Sequence, residues 1–109
     1  MLCPSRFGEA CIPHGTTCVI ADPHEIANVM GMDGIFYMMN DFTPLKIFFT
    51  APSCVPASPY DEGGAVIGLQ QIKKLLKMEN VVALGEVMDY PAVLRGGEVI
   101  EKIKAARKE

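Results

Sequence analysis

The four cysteines of this 109-residue chain, Cys3, Cys11, Cys18 and Cys54, include no C-x-x-C pair. That spacing argues against a four-cysteine zinc site and gives no disulfide framework, so they read as reduced, mostly buried thiols. No run reaches the ~18 apolar residues of a membrane span. The opening "MLCPSRFGEA" lacks a basic flank followed by an apolar stretch, and it is not expected to be a signal peptide. Low-complexity segments are missing, which excludes an intrinsically disordered reading. Charge of one sign is not concentrated anywhere: ten Lys and Arg stand against 13 Asp and Glu, scattered except for the mixed tail "EKIKAARKE". With a net charge of −3, nucleic acid and membrane are not expected partners. Half the residues are apolar, enough for the core of one soluble, cytoplasmic domain.

Three short apolar runs are present: "TTCVIA" (16–21), "LKIFFTA" (45–51) and "VVALGEVM" (81–88). None alternates apolar with polar. Continuous runs rich in Val, Ile, Phe and Thr suit parallel strands buried on both faces. Helical patterns lie between them. In "LQQIKKLLKM" (69–78), Leu69, Ile72, Leu75 and Leu76 share one face, with Lys73, Lys74 and Lys77 largely outside. In "GEVIEKIKAARK" (97–108), Val99, Ile100 and Ile103 do the same, and Glu98 to Lys102 is an i, i+4 pair. The segment "PHEIANVMGMDGIFYMMNDF" accommodates two helices broken near Gly31 to Gly34, and a short helix over roughly 5–13 precedes the first strand. His14 ends that helix before Gly15. Tyr90 and Pro91 turn the chain into the last helix, and the seven methionines fill core gaps. The stretch 52–68, with three prolines and three glycines, reads as a long loop, and loops of that length inside a domain are often functional.

The order α-β-α-β-α-β-α predicts an α/β fold with about three parallel strands and flanking helices. Three such strands leave two open edges, and a complete (β/α)8 barrel needs roughly 250 residues. A partial barrel of the TIM type is the expected architecture. The isolated chain is therefore expected to form a homo-oligomer or to associate through its exposed sheet edges.

Polar residues gather at the end of each strand, the face on which parallel α/β folds build sites. The first run meets Asp22, Pro23, His24 and Glu25; the second meets Pro52, Ser53 and Cys54; the third carries Gly85 and Glu86. "ADPHEIANVMG" comes close to the zinc-protease pattern His-Glu-x-x-His, but Asn28 replaces the second histidine, and that chemistry fails without it. Its simplest reading is a capping box, with Asp22 at the N-cap, Pro23 at the first helical position and Glu25 at the third. His24 then sits in the first turn, able to donate or accept a hydrogen bond. Glu86, in an otherwise apolar run, has two readings. It is paired or metal-bound, because an ionised buried carboxylate is costly, or it reaches water at the strand end. "PSCVPA" fits either a tight proline-bounded turn or a substrate loop. Cys54 lacks an evident base, which makes it a poor nucleophile.

Taken together, "PHGTTCVIADPHEIANVMG", "PSCVPAS" and "LGEVMDYPAVL" resemble the adenine deaminases of the amidohydrolase superfamily, in order and spacing, over essentially the whole chain. The resemblance implies a (β/α)8 barrel that hydrolyses adenine to hypoxanthine and ammonia, with a divalent metal pair, manganese or iron, at its mouth. It implies a metal-bridging role for Glu86, proton handling for Glu25, substrate contact for His24, and a place at the substrate mouth for Asp22. The family's H-x-H pair, its further histidine ligands and its catalytic aspartate match nothing in this sequence. A single carboxylate cannot hold two metals, so the isolated chain is expected to bind metal weakly and to be inactive. Two alternatives are a non-catalytic α/β interaction module and an amidohydrolase acting on another cyclic amine or amide.

Overall fold

The structure, a computed structural model, describes residues 2–108. Helix α1 (Pro4–Cys11) runs into a 3-10 turn (Ile12–His14) that stops at Gly15, whose φ of 87° is left-handed. Strand β1 (Cys18–Ala21) is followed by helix α2 (His24–Asn40), β2 (Lys46–Ala51) and α3 (Leu69–Leu75). Then come β3 (Val81–Leu84), a short α4 (Tyr90–Arg95) and α5 (Glu98–Ala106). The three strands form one parallel sheet in the order β1-β2-β3. The α/β class and the parallel strands therefore stand as expected.

One sheet face is covered and the other is not. Phe49 on the central strand lies opposite Ala21 and Val81, and with Ala51 it packs against Ala27, Ile35, Ile67, Ile72 and Leu75. On the other face Ile20 is 65% exposed, and the Lys46 ammonium sits 5.0 Å from the ring centre of Phe48. Val82, at a register shift between β2 and β3, is 49% exposed. The expectation of strands buried on both faces is thus corrected: all the helices that build the core lie on one side. The thiol reading is corrected as well. All four cysteines are free, but only Cys54 is buried, and Cys18 is exposed on β1.

Helix α2 carries the predicted break. Gly31 has φ 60° and ψ −137° inside it, a conformation only glycine adopts readily. The Asn28 carbonyl, freed by the kink, accepts the Gly64 N–H at 2.6 Å, so the long loop caps the first half of α2. On α3, Ile72 and Leu75 are buried and the lysines exposed, as the periodicity requires. Tyr90 and Pro91 do more than turn the chain: they open α4, where the Asp89 carboxylate accepts the Ala92 N–H at 3.1 Å. On α5 the expected Glu98–Lys102 pair does not form. Glu98 accepts the Leu69 N–H at 2.5 Å, and Lys102 is buried.

Helix α1 has no side-chain cap of its own. The Asp41 carboxylate, beyond the end of α2, supplies one by accepting the Ser5 N–H at 2.7 Å. That hydrogen bond holds the Asp41 carboxyl below its ordinary range. Because folding lowers this pKa, the contribution is present above the unfolded value of about 4 and is lost as pH falls through the folded one. Protection of the Ser5 amide, its exchange rate relative to the unstructured rate at each pH, should fall only at the acid end. Asp41→Ala should lower this protection at neutral pH and flatten the profile, and an unchanged profile would remove Asp41 as the cap.

Candidate functional site

The polar residues at the three strand ends meet around one peptide group. Asp22 directly follows β1, and its carboxylate reaches across the sheet to accept the Glu86 N–H at 3.3 Å. From the other side, the Ser53 hydroxyl, just past β2, donates to the Glu86 carbonyl. The Gly85 N–H is held by the Ala51 carbonyl at 2.8 Å. The backbone of Glu86 is therefore gripped at its N–H and its C=O, while its side chain stays exposed. A carbonyl can only accept, so the Ser53 proton goes to Glu86, and the Cys54 thiol, 3.3 Å from Ser53 Oγ, is left to donate to it.

Gly85 is needed for this arrangement. A Cβ there would collide with the Asp22 carboxylate and press on Thr50 Oγ1. Three polar atoms in the same region are buried without a hydrogen-bond partner among the described residues: Asp22 Oδ1, His24 Nδ1 and Thr50 Oγ1. Two of them face each other, with His24 Nδ1 3.6 Å from Asp22 Oδ1. A small shift would join them, and a carboxylate on Nδ1 leaves Nε2 of the ring to act outward.

The capping-box reading is corrected by this geometry. Pro23 occupies the cap position of α2, which has no side-chain cap, and Asp22 is committed across the sheet instead. Glu25 is exposed in the first turn of α2. Asn28, in the place of the missing zinc-protease histidine, donates to the His24 carbonyl at 3.1 Å and braces that turn. The placement of Glu86 inside a strand is also corrected: β3 ends at Leu84, and Glu86 lies in the connection beyond it. Asp22, His24 and Glu86 are brought together, with Glu25 on the adjoining turn. Ser53 was placed by the sequence among the polar residues at the end of the second strand, with no role of its own. Thr50 carried no signal, and Lys102 was noted only as the partner of Glu98, because its carbonyl acceptors are distant in the chain.

Among the described residues no group of three or more His, Cys, Asp or Glu side chains converges to hold a metal ion. No described helix is long and apolar enough to cross a membrane.

No family model matches the chain. It is 58% identical to an adenine deaminase of Methanothermobacter thermautotrophicus over 98% of its own length. It is 60% identical to that of Methanosphaera stadtmanae over 99%, and 46% identical to that of Halalkalibacterium halodurans over 100%. The chain is similar along nearly its whole length to one segment of these adenine deaminases. It spans about one fifth of the length of the curated relatives it matches, 20% of the first two and 19% of the third. In this segment, the three sequence motifs fold into the cluster around the Glu86 peptide.

Gly85→Ala should push the Asp22 carboxylate off the Glu86 N–H and destabilise the fold by about 1–3 kcal/mol in urea denaturation. Asp22→Ala in the same background should recover part of that loss, because the two sites share one contact. A Gly85→Ala protein of unchanged stability would contradict the close approach.

Proposed function

We propose that these residues form part of an adenine deaminase that replaces the exocyclic amine of adenine with water, giving hypoxanthine and ammonia. The observation that carries this reading is the 58% and 60% identity with named adenine deaminases across nearly the whole chain. The geometry supports it in two ways. The "DPHE" and "GE" segments share the end of a parallel sheet at which α/β enzymes place their chemistry. The uncovered face bearing Ile20 and Val82 is the face that further strands would enclose in a (β/α)8 barrel. In the same reading the protein works in the cytoplasm, and the isolated chain forms a homo-oligomer or associates through its exposed sheet edges.

In this reaction a C–O bond forms at the ring carbon as the C–N bond breaks, and protons pass to the ring and to the departing amine. Glu25, exposed at the mouth, is the group proposed to carry them. His24 contacts the purine, its ring oriented by Asp22 at 3.6 Å. A divalent metal pair, manganese or iron, supplies hydroxide at neutral pH when bound. The described residues do not fit such a pair by themselves, since no three ligating side chains converge. Glu86, with its backbone fixed and its carboxylate exposed, is the single ligand proposed from this chain. The isolated chain is accordingly proposed to bind metal weakly and to leave adenine unchanged.

The test is ammonia release from adenine by the complete polypeptide that carries these residues, beside the 109-residue chain alone. Activity is expected only in the former, and Glu25→Gln should lower its kcat by about 100-fold or more. Turnover by the isolated chain would overturn its assigned inactivity, and full activity of Glu25→Gln would remove it as the proton carrier.

A further inference from the structure

Lys102 is a charged residue in a place that packing alone would give to leucine. It lies on α5 and is only 6% exposed. Its Nζ donates to the Ile67 carbonyl at 2.7 Å and to the Ser53 carbonyl at 3.0 Å. Those acceptors stand at opposite ends of the long loop between β2 and α3, so one ammonium fastens both. The loop ends are also joined directly, by the Ile67 N–H on the Val55 carbonyl at 3.0 Å.

The acidic side chains that line the same cavity as Lys102 are engaged elsewhere. Glu98, one turn earlier on α5, accepts the Leu69 N–H, and Asp89 caps α4. Neither forms an ion pair with Lys102 among the described residues. Burying an ammonium with carbonyl partners alone is a poor way to gain stability, because desolvation offsets most of the attraction. What the arrangement does supply is direction. Ser53, one of the two acceptors, is the residue whose hydroxyl donates to the Glu86 carbonyl, and the Glu86 N–H is held in turn by Asp22. A continuous set of hydrogen bonds therefore runs from α5 through the end of β2 to the mouth.

We propose that Lys102 is a positioning residue: by fixing Ser53 it sets the Glu86 peptide, and with it the Glu86 carboxylate, at the mouth. The proposal deepens the adenine deaminase reading and rests on it for the meaning of that mouth. Misplacing a reacting group by about 1 Å can cost on the order of 100-fold in rate, so a link three residues long is enough to matter.

The experiment compares Lys102→Met, Ser53→Ala and the double variant in the complete polypeptide. It measures kcat and KM for adenine, together with amide exchange over residues 85–88. Each single variant is expected to lower kcat roughly tenfold or more, to change KM less, and to speed exchange at Glu86. The double variant should be no worse than Lys102→Met alone, because both changes cut one chain of contacts. Unchanged kcat and exchange in Lys102→Met, or losses that simply multiply in the double variant, would overturn the proposal. If Lys102→Met does not fold, Ser53→Ala decides, since it leaves the Lys102 bonds to backbone in place: wild-type kcat and exchange there overturn the proposal. Should the unaltered polypeptide fail to deaminate adenine, the functional reading falls, and exchange at Glu86 still judges the link from Lys102.

Discussion

The peptide group of Glu86 is the point on which the strand ends depend. The parallel ladder brings the C-terminal ends of the three strands to one side of the sheet, and side chains then fix the segments that leave them. Here the Asp22 carboxylate comes from the end of β1 to the Glu86 N–H, and the Ser53 hydroxyl comes from the end of β2 to its C=O. Gly85 leaves room for the first of these, since any side chain there would stand where the carboxylate lies. Three strand ends thus share one rigid unit, and a carboxylate projects from it into solvent.

The rest of the architecture is consistent with that purpose. All the core-building helices lie on one side of the sheet, so Phe49, Ile72 and Leu75 are buried while Ile20 stays largely exposed on the other. The loop after β2 is long, yet it is held at both ends by Lys102 and capped onto the broken helix by Gly64 on Asn28. The break at Gly31 frees the carbonyl that the loop needs. Sheet, kink and loop are coupled through backbone hydrogen bonds, so the first turn of α2, which bears His24 and Glu25, is fixed relative to the ends of β2 and β3.

Much of this was legible in the residues. The three apolar runs contain the three strands, and the leucine and isoleucine spacing of 69–78 marks the face that α3 buries. The helix break could be foreseen because glycine has a local conformational signature. What stayed hidden was long-range. The pattern Asp-Pro-x-Glu reads as a cap, but Asp22 bonds to a residue 64 positions away, and no local rule encodes such a partner. Glu86 looked internal to a strand because apolar residues flank it on both sides, whereas the strand stops at Leu84. Lys102 looked like one half of a surface pair because Glu98 stands one turn before it. Its actual acceptors are carbonyls 35 and 49 positions away, and backbone groups leave no trace in residue type.

A crystal structure of the complete polypeptide with hypoxanthine bound would show directly whether the purine sits at these strand ends. The purine is expected at the C-terminal ends of β1 to β3, within contact of His24 or Glu25, with the Asp22 carboxylate still on the Glu86 N–H. A purine bound away from these strand ends, or an Asp22 turned off the Glu86 peptide, would contradict it.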